Sequence, residues 1–239
     1  MKYLLILLLL AQPVAAQTFT VIHEKTFWRD GHGTIEITDE GIRYTADKAK
    51  DSRYWSYQDI QYLDRISVRE FTILSYEDEA RYLGRDKSYH FVITEGELTD
   101  PVFEKICRKL DRPVTDRIVP DNIAVQYRIP VKHLHTFGGC EGVLQFTKDS
   151  IIYDTKNKKD ARVWKLSRDV QSVWSSDRYQ LEIHVYENNR REFSRSRIYK
   201  FALKIPLDPE FYKRLKLKLY DLEAVRSTIR QPVYENSVF

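Results

Sequence analysis

Gly33-Thr34-Ile35-Glu36-Ile37-Thr38-Asp39-Glu40-Gly41-Ile42-Arg43-Tyr44 is answered further along the chain by Gly142-Val143-Leu144-Gln145-Phe146-Thr147-Lys148-Asp149-Ser150-Ile151-Ile152-Tyr153. Each stretch alternates apolar and polar residues, passes through a short charged step and returns apolar, which is strand–turn–strand patterning. The match extends outward in both directions. Val21, His23, Thr26 and Phe27 return as Val131, His133, Thr136 and Phe137. Lys50, Asp51, Arg53 and Trp55 return as Lys159, Asp160, Arg162 and Trp164, and Asp59 and Gln61 as Asp169 and Gln171. Ile73, Tyr76 and Glu77 match Ile183, Tyr186 and Glu187, while Arg81, Arg85, Tyr89 and Phe91 match Arg191, Arg195, Tyr199 and Phe201. Asp100, Pro101, Phe103 and Lys105 match Asp208, Pro209, Phe211 and Lys213. The spacing is 110 at His23–His133, 109 at Trp55–Trp164 and 108 at Phe103–Phe211. Loop insertions produce drifts of that size; chance similarity does not hold register through a whole unit. The chain contains one folded unit twice.

Each unit reads as several short strands followed by one helix. In the first, strands are predicted at Gly33 to Thr38, Ile42 to Ala46, Ile60 to Val68, Glu70 to Tyr76 and Tyr89 to Thr94. In the second they fall at Val143 to Thr147, Ile151 to Asp154, Val163 to Leu166, Leu181 to Tyr186 and Tyr199 to Leu203. Asp100-Pro101 and Asp208-Pro209 each offer an N-cap acceptor followed by a proline suited to the first helical position. Phe103, Ile106, Cys107 and Leu110 then follow helical spacing, as do Phe211, Leu215, Leu219 and Leu222. The fold expected is mainly β (β+α): two tandem β-sandwich or barrel domains, each capped by a C-terminal α-helix.

The first residues belong to the chain's address. Lys2, an apolar run from Tyr3 to Ala11, and Pro13-Val14-Ala15-Ala16 describe a secretory signal peptide cleaved after Ala16. Retention as an N-terminal anchor is the other reading. The expected layout is a signal peptide over 1–16, a first domain over 17–112, a polar linker over 113–127 punctuated by Pro113 and Pro120, a second domain over 128–230 and a flexible tail over 231–239. Phe239 ends the tail as it ends many outer-membrane barrels, but Glu235 and Ser237 break the alternation a barrel strand needs. The destination is the periplasm or the outside of a bacterial cell, with no transmembrane segment in the mature chain. Cys107 and Cys140 either form one disulfide in that oxidising setting or stand as separate thiols.

The order Gly-Thr-Ile-Glu-Ile-Thr, turn, Gly-Ile-Arg-Tyr, charged loop, Tyr-Trp-Ser-Tyr-Gln-Asp-Ile, hairpin, Tyr-His-Phe-Val-Ile, helix resembles the pleckstrin-homology and GRAM superfamily, most of all its bacterial members. Trp55 with Asp59-Ile60, and Trp164 with Asp169-Val170, carry the resemblance over nearly all of the mature chain. The resemblance implies a platform for lipids, peptides or proteins. Asp39-Glu40-Gly41 and Lys148-Asp149-Ser150 are tight turns where many eukaryotic lipid-binding members have a dense basic loop, so phosphoinositide binding is not implied. Fold alone does not carry function.

Charge divides unevenly. From Gln17 to Val125 there are 16 Lys and Arg against 21 Asp and Glu, a net of −5; from Gln126 to Phe239 there are 22 against 14, a net of +8. Lys156, Lys158, Lys159, Arg190, Arg191, Arg195 and Arg197 are therefore the candidates for contact with anionic lipid or cell-wall polymer. Nucleic acid is not expected as a partner. Tyr54 and Tyr57, present in the first unit only, are candidates for contact with a protein. His133 and His135 alternate on a strand, near Cys140, and are the residues that come nearest to a metal site. The competing reading is two strand histidines beside a Gly138-Gly139 turn, and no cofactor is expected. No His-Glu-x-x-His, Gly-x-Ser-x-Gly, phosphate-cradling glycine loop or dinucleotide fingerprint is present. His32, between two glycines, has no nucleophile near it in sequence. The function expected is a non-catalytic exported interaction or scaffolding protein with a protein partner; the alternatives are peripheral binding to an anionic membrane or wall through the second domain, and a hydrolase with an unrecognised site.

Overall fold

The computed structural model describes residues 17–25, 29–79, 84–110, 112–187 and 196–230. The expected signal peptide over 1–16 and the expected tail over 231–239 lie outside them. Thus Arg190, Arg191 and Arg195 also lie outside the described residues.

The first sheet is built from β1 (Gln17–Glu24), β2 (Gly31–Ile37), β3 (Gly41–Ala46), β4 (Arg53–Ser56), β5 (Ile60–Ser67), β6 (Glu70–Asp78), β7 (Asp86–Glu95) and, after helix α1 (Asp100–Lys109), β8 (Val114–Asp116). Its order is β4-β3-β2-β1-β7-β6-β5-β8. The second sheet takes β9 (Tyr127–Leu134), β10 (Gly139–Phe146), β11 (Ser150–Thr155), β12 (Arg162–Lys165), β13 (Val170–Trp174), β14 (Gln180–Val185) and β15 (Arg197–Leu203), followed by α2 (Pro209–Arg230). Its order, β12-β11-β10-β9-β15-β14-β13, is the order of the first seven strands over again. The duplication read from sequence is therefore also a duplication of topology. The opening strands β1 and β9 were not among the strands the alternation predicted.

Local chemistry recurs with the topology. Thr38 accepts hydrogen bonds on Oγ1 from the amides of Glu40 and Gly41, and Thr147 does the same for Asp149 and Ser150, so one turn closes both β2–β3 and β10–β11. A Cβ on Gly33 would stand 2.2 Å from the Thr45 carbonyl oxygen, and one on Gly142 would stand 2.4 Å from that of Asp154. Glycine is kept at both places because the neighbouring strand's backbone occupies the side-chain position.

The helices differ. Asp208 caps α2, accepting from the amides of Glu210 and Phe211 at 2.8 and 2.9 Å. In α1 the cap position falls one residue earlier than expected, on Thr99, and Asp100 lies in the first turn. Phe103 and Ile106 of α1 are fully buried in the first core. However, α1 does not end its unit. Pro113 cannot donate a helical hydrogen bond and disfavours helical backbone before it. The chain leaves the helix after Lys109 and lays β8 parallel to β5, pairing Leu63 with Val114, Asp64 with Thr115 and Arg65 with Asp116. The expected linker over 113–127 thus contains a fully buried strand. The second helix meets no proline before Pro232 and runs on for 22 residues. Only α2 closes its unit as the sequence predicted.

Arg65 fastens β8 in place. Its guanidinium donates to both oxygens of Asp116 at 2.9 and 2.7 Å and to Asp100 at 2.7 Å, and it lies 4.2 Å from the centre of the Phe103 ring. One side chain joins β5, β8 and the start of α1.

His23 on β1 is buried among Tyr44, Tyr89 and Phe91, with ring centres 5.1 to 5.7 Å away, and its Nδ1 has no hydrogen-bond partner among the described residues. Burial, helped by the charge of Lys25, lowers its pKa to about 4. In the unfolded chain the ring titrates near 6.5. Between those values the unfolded state binds the proton that the native state refuses. Stability is therefore full above about pH 6.5 and is lost as pH falls towards 4, by on the order of 3 kcal/mol. The variant His23→Phe retains the ring packing without the proton. Its melting temperature is expected to fall less than the wild type's between pH 7 and pH 4.5; equal falls would reject this account.

Candidate functional site

Trp55, Arg53, Glu77 and Tyr89 meet at one end of the first sheet. Trp55 Nε1 donates to Glu77 Oε1 at 3.1 Å, the Tyr89 hydroxyl donates to Glu77 Oε2 at 2.7 Å, and Arg53 Nε donates to the Tyr89 oxygen at 3.2 Å. The Trp55 and Tyr89 rings meet edge to face at 4.7 Å. Burial pushes the Glu77 carboxyl up, but the bonds from Tyr89 and Trp55 and the charges of Lys87 and Arg53 outweigh it and hold it below the usual range. Glu77 is a fixed, ionised acceptor. It opens onto a shallow cleft of about 250 Å³ lined by Tyr54, Trp55, Asp59, Ser75, Tyr76 and Glu77.

The second unit builds the same constellation from Trp164, Arg162, Glu187 and Tyr199. The Trp164 and Tyr199 rings stand at 4.8 Å, the Tyr199 hydroxyl donates to Glu187 Oε2, and Arg162 Nε donates to Glu187 Oε1 at 3.0 Å. Here the cleft is filled. Thr115 of β8 donates to Glu187 Oε1 at 2.6 Å, and the Tyr62 hydroxyl shares a hydrogen bond with Thr115. Arg117 grips both oxygens of Asp64 at 2.9 and 2.6 Å and reaches the Lys159 carbonyl at 2.5 Å. Arg168 spans from Asp169 to Glu104 of α1. The carboxyl of Glu187 is 3 % exposed, against 37 % for that of Glu77. One constellation is roofed by the other unit and its copy is open.

The residues singled out from sequence fall as follows. Tyr54 is half exposed, lies 5.7 Å from the Arg43 guanidinium and lines the cleft. Tyr57 is not a surface residue: it is buried in the first core and donates to the Thr38 carbonyl at 2.8 Å. It was singled out because the second unit has Leu166 in its place, but that leucine is buried as well, so the two copies exchange one core side chain for another. Lys156, Lys158 and Lys159 are exposed in the turn between β11 and β12, where the Lys159 carbonyl also receives Arg162 at 2.8 Å. Arg197 stands over the Tyr199 ring and 3.9 Å from Glu187, so its charge is directed inward. His32 lies within β2 rather than in a turn. Cys107 and Cys140 are free thiols: Cys107 is buried in α1, its pKa pushed up to about 12 by burial, and Cys140 is on β10 of the other unit.

His133 and His135 do converge, but on a residue the sequence did not supply. Asp160 Oδ2 lies 2.9 Å from His133 Nδ1 and 3.1 Å from His135 Nε2. Both this cluster and the Glu77 and Glu187 constellations escaped the reading by motif. The available signal was the repeat itself, since Asp51–Asp160, Arg53–Arg162 and Glu77–Glu187 are polar residues held in both copies.

No protein-family model matches this chain, and no curated protein matches its sequence. Among solved structures it is similar to a chain of the Spt16D–Pob3N heterodimer, over 71% of this chain and 82% of that one, at 9% identity and a TM-score of 0.27. No helix among the described residues is long and apolar enough to cross a membrane.

The two carboxylates carry a contrast that can be measured. Glu187→Ala leaves Arg162 buried without its partner and is expected to cost about 3–5 kcal/mol in urea unfolding of the whole chain. Glu77→Ala, at the open copy, is expected to cost no more than about 1 kcal/mol. Equal costs would show that the roof over Glu187 contributes nothing.

Proposed function

We propose that this chain is a non-catalytic interaction protein of the bacterial envelope, exported behind the leader over 1–16, in which the open cleft of the first unit receives an extended segment of a partner protein. Two pleckstrin-homology-like units form it, a reading supported by the strand order that both sheets share and the helix that follows each. The observation that carries the proposal is the paired constellation. In the second unit a three-residue strand presents a threonine hydroxyl to Glu187; in the first, Glu77, held by Tyr89 and Trp55, faces the open cleft.

The chemistry fits recognition better than catalysis. Trp55, Tyr89, Arg53 and Lys87 hold Glu77 ionised, and the Ser75 hydroxyl beside it is engaged by the Glu77 amide and the Lys87 carbonyl. An acceptor flanked by Trp55, Tyr54 and Tyr76 favours a segment with a hydroxyl side chain between apolar neighbours. Thr115, preceded by the apolar Val114, plays that part at Glu187.

A photo-crosslinking residue at Tyr54, in the chain expressed in its envelope, is expected to capture one protein. The same residue at Tyr220, exposed on α2, is the control. Adding Glu77→Ala is expected to reduce capture at Tyr54 at least tenfold without loss of folded protein. Identical capture at both positions, or capture indifferent to Glu77, would overturn the proposal.

A further inference from the structure

His133, His135 and Asp160 place three ligand atoms within 4.8 Å of one another, and the first unit shows why that is not ordinary packing. There the equivalent positions are His23, Lys25 and Asp51. The Lys25 ammonium lies 2.9 Å from Asp51 Oδ2 and neutralises it, and His23 Nδ1 has no hydrogen-bond partner among the described residues. The second unit withdraws the ammonium and installs an imidazole. A buried carboxylate now faces two rings instead of a fixed cation.

We propose that His133, His135 and Asp160 bind a divalent transition-metal ion of the zinc type. Ligands of a tetrahedral zinc ion, at bond lengths of about 2.0–2.1 Å, stand about 3.3 Å apart. The separations of 2.9 and 3.1 Å from Asp160 to the two rings lie close to such edges. Two imidazoles and a single carboxylate select a transition ion over calcium or magnesium, which take oxygen ligands. The framework is rigid where a site needs it to be. His133 lies on β9 and His135 is the first residue past its end, their ring centres 4.4 Å apart, and the His133 ring is fixed 5.1 Å from both the Tyr199 and the Phe201 ring centres. Asp160 sits in a turn closed by its own amide on the Asn157 carbonyl at 2.9 Å.

An ion also has a way in. His133 and Asp160 are buried, but the His135 side chain is 35 % exposed, so one side of the triangle meets water. Three protein ligands and an open position are the arrangement of exchangeable or reactive metal sites rather than closed structural ones. Cys140 is the register partner of His133 on β10, where the first unit has Gly31 opposite His23. Its sulfur accepts from Asn157 Nδ2 at 3.4 Å and lies outside the triangle.

A bound ion would tie β9 to the turn before β12. That turn contains the Lys159 carbonyl that receives Arg117 from the first unit. Metal loading would therefore stiffen the joint between the units.

The test is zinc titration of the tag-free mature chain by calorimetry, beside the variants His135→Lys and Asp160→Asn. His135→Lys restores the residue that the first unit tolerates, so its fold is expected to persist, and circular dichroism checks this for both variants. The wild type is expected to bind one Zn(II) per chain at micromolar concentration or tighter and to melt several degrees higher with it. Each variant is expected to lose at least a hundredfold in affinity, and Co(II) in place of zinc is expected to give visible d–d bands in the wild type only. No binding by the wild type at 100 μM Zn(II) (about a hundred times the expected micromolar scale), or equal binding by the folded His135→Lys chain, would overturn the proposal.

Discussion

A carboxylate with almost no access to water must be met by donors on every side, and Glu187 is met by Tyr199, Arg162 and Thr115. The first two come from its own unit and the third from the other. Burial opposes the ionised form, while the Arg162 charge and these hydrogen bonds reverse the balance and hold the carboxyl below its usual range. Arg162 is fixed in turn by the carbonyls of Lys159 and Ala161. The seam between the two sheets therefore has a directional polar centre, which specifies how they meet as apolar burial alone does not.

The seam depends on a break in the first helix. Pro113 ends helical backbone soon after Leu110, so β8 can run beside β5 with Arg65 closing on Asp116. That strand carries Thr115 to Glu187 and Arg117 to Asp64 and Lys159. The second helix, without a proline, grows longer and packs Arg226 onto the carbonyls of Ser167 and Val170. A small difference between repeats in chain stiffness decides which unit provides a roof and which is roofed.

Duplication followed by divergence explains both candidate sites. Glu77 keeps the tyrosine donor of its counterpart Glu187, accepts from Trp55 where Glu187 accepts from Arg162, and lacks the strand that covers Glu187. Asp160 keeps the place of Asp51 but exchanges an ammonium for an imidazole. In each case one copy shows the satisfied structural form, and the other shows what remains when one partner is changed.

Sequence alone determined the duplication, the mainly β character and most strand positions, because alternation and turn residues act over a few neighbours and return at a constant spacing. It could not place Tyr57, whose hydroxyl meets the Thr38 carbonyl only in the closed fold, or see that Val114-Thr115-Asp116 in a polar connection is a buried strand. Three residues carry too little periodicity to announce themselves, and their burial comes wholly from Leu63, Arg65 and Glu187, which are distant in the chain. Only the tertiary structure brought Asp160 to the histidines, covered Glu187 and left Glu77 open, because each of those outcomes rests on contacts between elements that approach only when the sheets have closed.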